Sequence, residues 1–81
     1  MENDNRLIVE YGKTKNHYVI LSEDVLMKDP NTREWITCVL YRQHKELNHL
    51  GEYIPVPEDK KLTFVREYKD FWSKFTLCLD L

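Results

Sequence analysis

KLTFVREYKDFWSKF, from Lys61 to Phe75, changes its period half-way along and so decides the fold. The first half alternates. Leu62, Phe64 and Arg66 fall on one side of a strand and Thr63 and Val65 on the other, because successive strand side chains point to opposite faces. The second half repeats at i, i+3, i+4 and i+7. That spacing puts Tyr68, Phe71, Trp72 and Phe75 on one stripe of a short helix over about residues 67–75, with Lys69, Asp70, Ser73 and Lys74 opposite. Four rings on one stripe predict a plug for the open end of a small rolled sheet.

Working outward, Leu7 to Tyr11 alternates as a first strand ended by Gly12, and the polar Lys13 to Asn16 makes a turn. His17 to Leu21 is nearly all apolar and reads as a strand buried on both sides. Ser22, Glu23 and Asp24 interrupt it before Val25 to Met27 resumes, the pattern of a bend or bulge. Asp29-Pro30-Asn31-Thr32 is a turn, since proline presets φ at its first central position. The return strand, Glu34 to Arg42, carries Trp35, Thr37, Val39 and Tyr41 on one face and Ile36, Cys38, Leu40 and Arg42 on the other.

Gln43 to Lys60 admits two readings: one helical turn through Leu47 and Leu50 closed by Gly51, or a long connecting loop. Ile54-Pro55-Val56-Pro57 belongs in a loop or at a sheet edge, because each proline removes a ladder donor. Leu77, Leu79 and Leu81 alternate as a last strand. The whole is a mainly β chain, an SH3-like antiparallel barrel of five or six strands with one short helix before the last. A frayed segment, residues 1–6, precedes a single domain over residues 7–81.

Eighty-one residues bury only about 60–65% of the surface of the unfolded chain, so stability must come from dense packing. A net charge of −2 gives no electrostatic footprint for a nucleic-acid polymer. The longest apolar run, Trp35 to Tyr41, is too short to span a bilayer, and Met1 to Arg6 does not read as a leader, so the expected location is cytoplasmic. Cys38 and Cys78 sit in apolar runs as free thiols or, if their strands adjoin, as a pair.

The residues Tyr18-Val19-Ile20-Leu21, Thr32 with Glu34, Cys38-Val39-Leu40-Tyr41, and Phe64-Val65-Arg66 with Phe71 resemble a domain-of-unknown-function family of short bacterial and phage proteins. Its pattern runs Y-x-V-L, H-S-E-T, V-V-Y-x-x-L-Y, W-V-R-P-x-x-M-F. The chain departs from it at Asn31-Thr32-Arg33-Glu34, which keeps only the threonine and an acid, and at Glu67, where the pattern has proline. The resemblance implies a small β barrel of bacterial or phage origin and no established activity.

Ser22, Ser73, three histidines and many carboxylates form no nucleophile or base constellation, and two glycines make no phosphate loop, so an enzyme is not expected. No cofactor is called for. His44 and His49 lack a standard zinc spacing and no C-x-x-C exists, so they read as loop surface and His17 as an edge or turn residue; no metal is expected.

What remains is binding. Arg66 beside Phe64, with Tyr41, Arg42, Arg33 and Glu34, makes a candidate rim for a small anionic, nucleotide-like ligand, with arginine on phosphate and a ring on the base. Such a protein, if from a phage, would act as a counter-defence sponge, as a homo-oligomer if the pocket lies between subunits. The plainer reading pairs Arg66 with Glu67, Asp70 or Glu34 at the surface. The alternative function is a protein–protein interaction module or inhibitor of a host protein. It would use Tyr53 and the Ile54-to-Pro57 segment, a sheet edge, or an interface built on Trp72 and Tyr68.

Overall fold

In the computed structural model, which describes residues 6–78, six antiparallel strands form one sheet. They are β1 (Ile8–Tyr11), β2 (His17–Lys28), β3 (Trp35–Leu47), β4 (Tyr53–Pro55), β5 (Thr63–Glu67) and β6 (Phe75–Leu77). Helix α1 (Tyr68–Lys74) joins β5 to β6, and a 3-10 turn spans Glu58–Lys60. No helix among the described residues is long and apolar enough to cross a membrane.

The spatial order is β4-β3-β2-β1-β6, with β5 beside β3. β5 and β6 are therefore the two ends of the rolled part of the sheet. They do not pair, so the backbone ladder stays open where a closed barrel was expected. α1 spans the gap, because the chain must cross from one end of the sheet to the other within seven residues. Its cap is made locally: the Glu67 side chain accepts from the Asp70 amide at 2.9 Å, and Asp70 in the first turn and Lys74 in the last both complement the helix dipole.

The register sorts the side chains. Val9 faces Tyr18, Ile20 faces Tyr41, Val39 faces Arg66 and Tyr11 faces Phe75, all on the inner side. Val9, Ile20, Val39, Tyr41, Phe71 and Phe75 form the core, with Tyr11, Tyr18 and Trp72 packed against it. Of the helical stripe, Phe71 and Phe75 are buried and stack at 4.2 Å, and Trp72 is half-buried edge-on to Phe71. Tyr68 departs from the expected plug. It starts the helix, beyond the layer that covers Val39, and 41% of it is exposed.

β2 is one strand with register shifts after Ile20 and Ser22, so the predicted interruption is a bulge. The Asp29-Pro30-Asn31-Thr32 turn forms as expected, with the Arg33 amide donating to the Asp29 carbonyl at 2.7 Å. Residues 43–60 hold neither the helical turn nor a long loop. β3 continues to Leu47, Asn48–Gly51 turns, and β4 returns as an edge strand containing Pro55. The Asn48 side chain decides this, accepting from both the Leu50 and Glu52 amides at 2.9 Å. Gly51 sits at φ 81 with nothing near its missing Cβ, so any cost of a side chain there is conformational. Gly51→Ala is expected to destabilise by about 1–2 kcal/mol, read from the shift of a urea midpoint at constant slope. An unchanged midpoint would show that the turn does not need the left-handed conformation.

Both cysteines are free thiols, Cys38 buried and Cys78 half-buried. Of the expected last strand, Phe75 to Leu77 forms β6, while Leu79 and Leu81 lie outside the described residues.

Candidate functional site

The inner face gathers three of the expected ligand residues. Arg66 lies opposite Val39 on β5, two residues from Phe64, which lies opposite Tyr41. The Arg66 Nε donates to the Tyr41 hydroxyl at 3.2 Å, and the Tyr41 and Phe64 rings stack at 5.5 Å. The guanidinium is within 6 Å of the Tyr11 and Phe75 ring centroids. Its second arm reaches α1, where Nη1 is 2.9 Å from Asp70 Oδ2, while Lys74 Nζ holds Asp70 Oδ1 at 2.6 Å. Arg66 therefore ties β5, β3 and α1 together.

Arg42 turns away from this cluster and pairs with Glu58 at 2.9 Å. Arg33 and Glu34 are exposed at the far hairpin turn, more than six residues of strand from Tyr41, or roughly 20 Å at about 3.3 Å per residue. Tyr53 is on the outer face, its ring stacked on His17 at 4.1 Å. The expected rim is thus three separate groups.

These contacts set two acid-side shifts. Hydrogen bonds from Lys74 and then Arg66 hold the Asp70 carboxyl below the ordinary aspartate range, and Lys61 and then Arg42 do the same for Glu58. A depressed native value adds stability that is present above the unfolded value, near pH 4, and is lost as pH falls through the native one. Urea midpoints are expected to drop below about pH 4, and Asp70→Asn to flatten that limb while lowering the neutral plateau. An unaltered acid limb in the variant would refute the assignment.

The second region lies where the β2–β3 hairpin extends past the core. β5 pairs β3 from Cys38 to Arg42 and then leaves into α1, so among the described residues Trp35 to Thr37 are paired only with β2. Trp35 and Thr37 share the inner face of Val39 and Tyr41, yet no layer among the described residues covers them. Trp35 is 65% exposed and Leu26, opposite Thr37, 62%. Lys28 Nζ lies over the Trp35 ring at 5.9 Å. Beside this strand edge runs an open groove of about 380 Å³ lined by Ile36, Thr37, Glu67, Tyr68 and Lys69.

No family model, curated protein or solved structure matches this chain. The site must therefore be read from its own geometry. Trp35 and Leu26 lie outside the expected ligand set, Trp35 being placed on one face of the Glu34-to-Arg42 strand and Leu26 in the run from Val25 to Met27; the signal for their exposure is the nearness of both to the Pro30 turn and their distance from the apolar centre of β3. His44 lies within β3 and His49 in the Asn48 turn, with no cysteine gathered to them among the described metal-ligating clusters; such a cluster joins Glu10, His17 and Cys78 instead.

Proposed function

We propose that the chain is a non-enzymatic interaction module that takes up an extended segment of a partner protein along the open edge of β3. The observation that carries this is the Trp35-to-Thr37 edge, paired on one side only among the described residues and flanked by exposed Trp35, Tyr68 and the groove. An added strand would satisfy the free backbone groups, and alternate apolar side chains would enter the groove beside Tyr68. Trp and Tyr are the residue types that anchor such interfaces. If the resemblance to the bacterial and phage family reflects descent, the partner would be a host protein and the module its inhibitor.

Capture of a nucleotide-like anion is the second reading, supported by the grouping of Arg66, Phe64 and Tyr41. It would require an incoming phosphate to displace Asp70 from Arg66, which weakens it relative to the first. Selecting extended peptides against the immobilised protein tests both. Selected peptides are expected to slow amide exchange at Ile36 and Thr37, and to lose at least tenfold in affinity, about 1.4 kcal/mol, on Trp35→Ala or Tyr68→Ala. Peptides indifferent to both variants would overturn the proposal. A melting-temperature rise with nucleotides that disappears in Arg66→Lys would transfer the function to the inner face.

A further inference from the structure

The outer face carries a row of side chains that the docking surface does not use. Glu10 on β1 is the direct partner of His17 on β2, so both project from the same side of the sheet. Across the other edge of β1, Thr76 faces Glu10. Cys78, two residues on, returns to that same side, its amide donating to the Ile8 carbonyl at 2.9 Å. Strand register thus brings together three residues from positions 10, 17 and 78. His17 Nε2 is 3.2 Å from Glu10 Oε1, and one ligand atom from each of the three residues lies within 4.8 Å of the others.

We propose that Glu10, His17 and Cys78 form a binding site for a divalent metal ion of the zinc class. A thiolate, an imidazole and a carboxylate are the donor set zinc accepts. Tetrahedral bonds of about 2.0–2.3 Å would set the donors roughly 3.3–3.7 Å apart, so the His17–Glu10 pair is already at that spacing and Cys78 needs to close by an ångström or so. The charges balance: one carboxylate and one thiolate neutralise a dication, with histidine neutral. The half-exposed outer face leaves the fourth position to water.

The surroundings orient the donors as outer groups do at metal sites. The Tyr53 ring lies nearly parallel to the imidazole, 19° between planes, and fixes its tilt. The Tyr53 hydroxyl donates to the Lys15 carbonyl at 3.1 Å. Lys15 Nζ reaches Glu10 Oε2 at 3.8 Å, leaving Oε1 toward His17. As the metal–sulfur bond forms, the thiol proton of Cys78 passes to solvent.

The test titrates the full chain, under a phosphine reductant, with cobalt(II) and then zinc. Cobalt is expected to give a thiolate-to-metal charge-transfer band that saturates at one ion per chain, and zinc to displace it. Zinc should raise the melting temperature of the wild type. Cys78→Ser should abolish the band, while Glu10→Gln and His17→Gln weaken zinc at least tenfold and keep the native circular dichroism. Cys38→Ala should retain the band. No band and no zinc shift in the wild type, or a band that follows Cys38 instead of Cys78, would overturn the proposal. If Cys78→Ser does not fold, the two glutamine variants decide: unchanged zinc affinity in both refutes the site. Peptide uptake at the β3 edge is untouched by any of these outcomes, so the two proposals fail separately.

Discussion

Phe71→Ala is expected to be the most destabilising single truncation in the domain, at about 3–5 kcal/mol. Phe71 is fully buried, stacks on Phe75 at 4.2 Å and meets the Tyr41 and Trp72 rings at 5.0 Å. Truncating such a ring costs about 3–5 kcal/mol, the sum of lost transfer energy and the cavity left behind. A domain of this length has in all about 4–12 kcal/mol of stability. The variant therefore loses a large share of it, and α1 loses the residue that seats it on the sheet. Urea unfolding followed through Trp72 fluorescence reads this directly, and Phe71→Leu, which keeps most of the volume, should cost less than half as much. A loss below about 1 kcal/mol for the alanine variant would show that α1 is not seated on the core as described.

The second large effect belongs to Arg66. Arg66→Ala removes a charge-assisted bond to Asp70, leaves the Tyr41 hydroxyl without its donor and strips a cation from two ring faces. The side chain is still about 29% exposed, which tempers the ion pair. The expected loss is about 1.5–3 kcal/mol. Arg66→Lys should recover less than half of it, because an ammonium cannot hold the hydroxyl and the carboxylate in one planar fork. Both are measured as urea midpoints at constant slope. A cost under about 0.5 kcal/mol for the alanine variant would mean that the guanidinium is free, and would favour the anion-capture reading.

Much of this fold was legible in the chain. The change of period places the junction of β5 and α1 within a residue, the helix running over Tyr68–Lys74 where about 67–75 was expected, and the Asp29-Pro30 turn and the Ser22 bulge stand where local chemistry puts them. The second half of β3 was hidden. Gln43-His44-Lys45-Glu46 pairs by backbone on both edges, with β2 and β4 at Lys45, and backbone pairing leaves no apolar alternation to read. For Tyr68 the chain leaves two readings open, plug or exposed interface residue, because periodicity gives a stripe and not how far the neighbouring layer extends along it. The grouping of Glu10, His17 and Cys78 was illegible in principle, since only strand register joins positions 68 residues apart. Arg66 was read correctly as a partner of Asp70, one of the options open to a strand-end arginine, but its bond to Tyr41 needed the β3–β5 pairing.

The unpaired ends of the sheet also fix how the domain carries load. β6 is held to β1 by a ladder three residue pairs long. Tension entering through β6 therefore acts on those rungs one at a time, as a zipper rather than in shear, and strips the terminal strand before it strains the β2–β3 hairpin. Once it lets go, Phe75 leaves with it, and the rings of Phe71 and Tyr41 that it packs against lose their cover.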